Sequence, residues 1–140
     1  MRQVNEIILH CSATREGKAF TLADIDRWHR ERGWKGCGYH YVVGLDGVVE
    51  EGRSMEEAGA HCAGRNSSSI GICYIGGCDL VGKAKDTRTE EQKAAMVKLV
   101  RRLMDKYGIG IEKVRCHNEF AAKACPSFSI EKFRKELEEA

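Results

Sequence analysis

Three residues of this 140-residue chain have the types and positions that a hydrolytic metal site requires. His10 ends the apolar run 7–9, His117 follows the short stretch 113–116, and Cys125 lies eight residues beyond His117. A catalytic zinc needs three protein ligands and an open fourth position for water, and two imidazoles with one thiolate meet that need. Residue type and spacing alone also fit two hydrogen-bonded histidines and a packed cysteine, so both readings stand at this level.

The elements that must position these residues can be read from hydrophobic periodicity. Residues 4–11 form a contiguous, β-branched apolar run, the mark of a buried strand with His10 at its end. Thr21 with Asp24 resembles an N-terminal capping pair for a helix that runs to about Arg32, where Gly33 stops it. Stretches 39–45 and 48–51 flank Asp46-Gly47, a strong hairpin signal. Residues 70–75 are a second buried strand ended by Gly76-Gly77. Thr89 and Gln92 make a capping box for a long amphipathic helix striped by Met96, Leu99, Val100, Leu103 and Tyr107, and Gly108 closes it. A short strand, 113–116, delivers His117 into the loop HNEFAAKACPSF, and a final helix spans about 130–138. This order predicts an α+β (mixed α/β) single domain: a central mixed β-sheet flanked by helices, with the site where strand ends meet loops. Strand alternation turns Cys11 and Cys116 away from their ligand neighbours and into the core, and turns His40 opposite Tyr39, buried and hydrogen-bonded. His29 reads as an ordinary helix-face residue.

Composition narrows the function class. Lys and Arg number 23 against 21 Asp and Glu, a net charge of +2 with no basic run, so nucleic acid is not an expected partner. The apolar run 7–9 is too short for a signal peptide or a membrane span, which predicts a protein that starts in the cytosol and has no membrane partner. Seven cysteines is an odd number, and without an export signal it argues for reduced thiols, most of them small buried hydrophobes.

Five segments carry a family resemblance. IILHCSAT, WHRERGW, GYHYVV with DGVVEEGR, GAHCAGRNSSSIGICYIGG and HNEFAAKACPSF resemble, in order and spacing, those of family-2 N-acetylmuramoyl-L-alanine amidases, with peptidoglycan recognition proteins as more distant relatives. The resemblance covers about residues 7–128 and implies the amidase and peptidoglycan-recognition fold, here as one catalytic domain over 1–140 without a separate wall-binding module. It implies one Zn²⁺, held by His10, His117 and Cys125, and cleavage of the amide between the lactyl group of N-acetylmuramic acid and the L-alanine of the stem peptide. By the same resemblance Tyr39 and Lys123 are catalytic, the tyrosine as a base or as an orienting group, and His61 and Asn66 bind or support the substrate. Peptidoglycan is then the partner of a monomer that reaches the wall by holin-dependent release. Two alternatives stand beside this: binding peptidoglycan without cutting it, and a phage-type amidase with an added polymerase-inhibiting role.

Overall fold

The computed structural model describes residues 2–140, in the order β1 (Glu6–Cys11), β2 (Thr14–Arg15), α1 (Leu22–Glu31), β3 (Tyr41–Val43), β4 (Val49–Glu51), β5 (Ser69–Tyr74), β6 (Gly77–Cys78), α2 (Glu90–Tyr107), β7 (Val114–Cys116) and α3 (Ile130–Glu139). A five-stranded sheet runs β4-β3-β5-β1-β7. β3, β5, β1 and β7 are mutually parallel, and only the edge strand β4 is antiparallel. β1 and β5 are buried at every position, which is why their sequences are near-continuous apolar runs rather than alternating ones. The domain is thus a mixed sheet with three helices, as the element order predicts.

The sheet separates two cores. Ile7, Leu9 and Cys11 of β1 join Ile70, Ile72 and Tyr74 of β5 against the stripes of α2 and α3. On the opposite face, α1 packs through Ile25 against Val42, Cys73 and Ile75. His10 alternates with Leu9 and Cys11, so it projects to the α1 face, while Cys11 and Cys116 enter the α2 core.

Local signals in the sequence fix the helix ends. Thr89 Oγ1 accepts from Gln92 N at 3.0 Å and Gln92 Oε1 from Thr89 N at 2.9 Å, a reciprocal cap. The same Gln92 donates through Nε2 to the carbonyls of Ile75 and Val43, so the cap also ties α2 to the ends of two strands. Gly108 takes the left-handed conformation (φ 66°) that terminates α2. Arg88, just before α2, has a fully buried side chain. It donates to both oxygens of Asp86 and of Glu136 and covers the Phe128 ring at 3.9 Å, clamping α3 to the segment that precedes α2.

Three features depart from the sequence reading. β3 is shorter than 39–45: Tyr39 and His40 keep ladder-like bonds, His40 N to Gly71 O and Arg53 N to Tyr39 O, but precede the strand. β2 and β6 pair as a two-residue ribbon, invisible because two residues show no periodicity. His29 is not an ordinary helix-face residue. The chain returns beneath α1 between Trp34 and Tyr39, so His29 is buried, and its Nδ1 accepts from Gly38 N at 2.9 Å.

Candidate metal centre and active-site cleft

Sheet register brings the site together. Leu9 pairs with Cys116 across β1 and β7, so the next residue of each strand, His10 and His117, emerges side by side at the carboxyl end of the parallel strands. Their ring centroids lie 4.5 Å apart. This is the end at which open α/β sheets bind their ligands. Cys125 returns along the loop after β7, where its Sγ accepts from Cys11 N at 3.2 Å and lies 3.8 Å from His10 Nδ1. One donor atom from each of His10, His117 and Cys125 lies within 4.8 Å of the other two, the only such three-residue group of possible metal ligands among the described residues.

The donors fit a metal in their chemistry as well as their spacing. His117 Nδ1 is buried without a hydrogen-bond partner among the described residues, an arrangement that costs free energy unless something binds there. Burial, with His61, His117 and Lys123 adding to it, holds His10 far below the usual histidine range, and burial and Lys123 lower His117 too. Both imidazoles are therefore neutral, the form that ligates. Its hydrogen bond with Cys11, together with burial, pushes the Cys125 thiol up, so a metal that takes its thiolate must displace a proton.

Tyr39 and Lys123 flank the three donors. The Tyr39 ring lies 5.1 Å from His10 and 5.5 Å from His29, packed between them. Burial, with the thiols of Cys73 and Cys125 nearby, raises its phenol well above the ordinary range. Lys123 is exposed and lines the same cleft as Tyr39 and His117, a groove of about 490 Å³ whose rim includes Arg32 and Trp34. Trp34 is 38% exposed and carries Arg32 over its ring at 5.6 Å. A cavity of the same volume on the far side of α1 is lined by charges that already have partners: Asp26 with Arg30, Lys35 with Glu57, and Arg53 on the Cys37 and Ala58 carbonyls.

His61 and Asn66 line the cleft wall, but their polar atoms turn inward. Both nitrogens of the buried His61 ring are engaged, Nδ1 with His10 Nε2 at 2.8 Å and Nε2 with Ser69 Oγ at 3.2 Å. Asn66 Oδ1 accepts from the backbone of His61 and Cys62 at 2.8 and 2.9 Å, bracing their turn. Sequence reasoning missed Arg65 and Phe120. The Arg65 guanidinium stacks on Phe120 at 3.8 Å and donates to Glu6 of β1, which ties the two cleft walls together. No local pattern marks that pair, because its members are distant in sequence.

Three donors with no fourth protein ligand grouped among them, one of the three lining a cleft, suit a hydrolytic site, since a structural zinc closes with a fourth protein ligand. The chain belongs to the N-acetylmuramoyl-L-alanine amidase family, whose pattern matches residues 1–128. It is 39% identical over 127 residues to the endolysin of Escherichia phage T7, an alignment covering 91% of this chain and 83% of that protein. The endolysin of Enterobacteria phage K11 is 34% identical over 134 residues, covering 96% and 87%. Among solved structures, the N-acetylmuramoyl-L-alanine amidase LysC from Clostridium intestinale matches with a TM-score of 0.82 at 28% identity, covering 98% of this chain and 87% of that one. The protein is an enzyme with amidase activity, a hydrolase of peptidoglycan breakdown.

Proposed function

We propose that this amidase is zinc-dependent and hydrolyses the amide joining the lactyl group of N-acetylmuramic acid to the L-alanine of the stem peptide. The observation that carries the reading is the triad His10, His117 and Cys125, whose donor atoms lie within 4.8 Å of one another, with His117 Nδ1 buried and unpartnered among the described residues. Zn²⁺ held there supplies Lewis acidity and lowers the pKa of water toward about 7.

The chain's own groups divide the remaining work. Tyr39, held protonated by burial, enters as an O–H donor, so its role is to orient the reacting groups and not to abstract a proton at neutral pH. Lys123 places a cation at the cleft beside His117 and stabilises the developing oxyanion, a contact worth about 3 kcal/mol. Arg32 and Lys123 make the groove attractive to the carboxylates of a stem peptide, and the exposed face of Trp34 offers an apolar platform. Binding of peptidoglycan without cleavage is disfavoured, because the full ligand triad, cysteine included, is in place. The endolysin relatives support action at the cell wall, and we place that action after holin-dependent release of a monomer.

Digestion of intact peptidoglycan tests the reading. The expected result is free L-alanine amino termini with no new reducing sugars, about one zinc per chain, and loss of metal and activity together in His10→Ala. Reducing ends without amino termini, or full zinc occupancy in His117→Ala, would overturn it.

A further inference from the structure

One buried group in the site has no place in the chemistry described above, and it is His61. Its ring occupies a seat made by missing side chains. A Cβ at Gly71 would fall 2.6, 2.7 and 2.9 Å from three atoms of the ring, and a Cβ at Gly59 would fall 2.5 Å from its Cδ2. The backbone beneath the ring is pinned by Asn66, and the ring stands perpendicular to His10 with centroids 4.8 Å apart. Nothing in this arrangement presents a polar atom of His61 to the cleft. Everything in it directs Nδ1 at His10.

We infer that His61 is a positioning residue for the metal ligand His10, acting as the acceptor that fixes its tautomer. The inference rests on the zinc reading of the triad. An imidazole that offers Nδ1 to a metal must carry its proton on Nε2, and in a buried site that proton needs an acceptor. His10 Nε2–H then donates to His61 Nδ1, which obliges His61 to carry its own proton on Nε2 and donate to Ser69 Oγ. Ser69 is wholly buried, so the chain ends inside the protein. The opposite polarity has His61 Nδ1–H donating to His10 Nε2. It leaves the neutral His10 with a proton on Nδ1, the atom that faces Cys125 Sγ, and closes the ligand position. Of the two tautomer chains, only one can hold a metal, and the His61 ring sets the distance and direction that make it available. Carboxylates and carbonyls usually fill this role beside zinc-bound histidines. Here a second imidazole does so, in a slot that Gly59 and Gly71 leave open.

The test is zinc affinity, measured by competition with a chromogenic chelator, on the wild type, His61→Leu, His61→Asn and Ser69→Ala, with melting of each metal-free protein as the fold control. His61→Leu keeps volume but removes the acceptor, and zinc affinity should fall by roughly 10- to 100-fold. His61→Asn can place its amide oxygen near the former Nδ1, and should recover most of that loss. Ser69→Ala leaves the ring in place and removes only the far acceptor, for a fall of about 5-fold. Cobalt-loaded proteins should show the same ordering in their visible absorption. Wild-type affinity in His61→Leu, or His61→Asn no better than His61→Leu, overturns the inference while leaving the zinc reading intact. If His61→Leu does not fold, Ser69→Ala decides: unchanged affinity there overturns the inference. A wild type that binds no zinc removes the zinc reading itself, and this inference with it.

Discussion

Gly71→Ala is the single-methyl substitution that the structure singles out. Gly71 lies within β5 with an ordinary extended backbone, so alanine meets no conformational penalty there. By the unfolded-state argument alone, the change should stabilise by about 0.4–1 kcal/mol. Packing acts in the other direction. The new Cβ would meet the His61 ring at 2.6 Å, about 0.8 Å short of ordinary van der Waals contact. The ring cannot retreat freely, because both its nitrogens are hydrogen-bonded, to His10 and Ser69, and Asn66 pins the backbone beneath it. Overpacking of a core by one methyl costs roughly 1–3 kcal/mol, which exceeds the entropic gain. The expected net loss is about 1–2 kcal/mol, or a fall in melting temperature of roughly 3–8 °C for a domain of this length. A displaced ring also stretches its 2.8 Å bond to His10 Nε2, so zinc affinity should fall together with stability. Thermal melts of metal-free and zinc-loaded Gly71→Ala, set against the wild type, measure both effects. A variant that melts at or above the wild-type temperature and binds zinc equally well would refute the packing argument and the seat it describes.

Other expectations follow from the same geometry. Tyr39→Phe and Lys123→Ala should keep zinc and melting temperature near wild type while kcat falls by roughly 10²-fold or more. A Lys123→Ala enzyme at wild-type rate would show that lysine to be a solvated charge. Arg88→Ala strands the carboxylate of Glu136, leaves Asp86 with Lys132 as its one remaining ion-pair partner, and uncovers Phe128. A loss of about 3–5 kcal/mol is expected by chemical denaturation, and a loss under 1 kcal/mol would contradict it. Acid should weaken the metal-free fold between pH 6.5 and 4. Burial lowers His40 to about 4, so as pH falls the unfolded state takes up a proton that the folded state refuses. By pH 5 this one residue costs roughly 2 kcal/mol, and the lowered values of His29 and His61 act in the same direction. Stability that stays flat from pH 7 to 5 would be inconsistent with neutral buried histidines.

What the sequence made legible divides along a physical line. Elements whose burial is a property of consecutive residues were readable. The apolar runs of β1 and β5, the capped and striped α2, and the Asp46-Gly47 turn all announce themselves within a window of a few residues. The three candidate metal donors were readable by type, and their meeting required the long-range register that sets Leu9 beside Cys116. Strand alternation sent Cys11 and Cys116 to their observed side, and His40 is buried and hydrogen-bonded, though it lies just before β3. His29 and His61 behaved otherwise. Each is a polar residue buried by a segment that arrives from elsewhere, α1 closing over residues 34–39 in one case and Gly59 and Gly71 admitting a ring in the other. No periodicity encodes such an approach, because its partners are distant in sequence and a glycine that leaves room for a ring looks like any other until its neighbours in space are known. The reach of a sequence argument therefore ends at the groups that ligate or touch substrate. The layer behind them is specified jointly by residues far apart in the chain. That layer decides which nitrogen of His10 is free, so a site can be correct in every donor and still depend on a glycine 61 residues away.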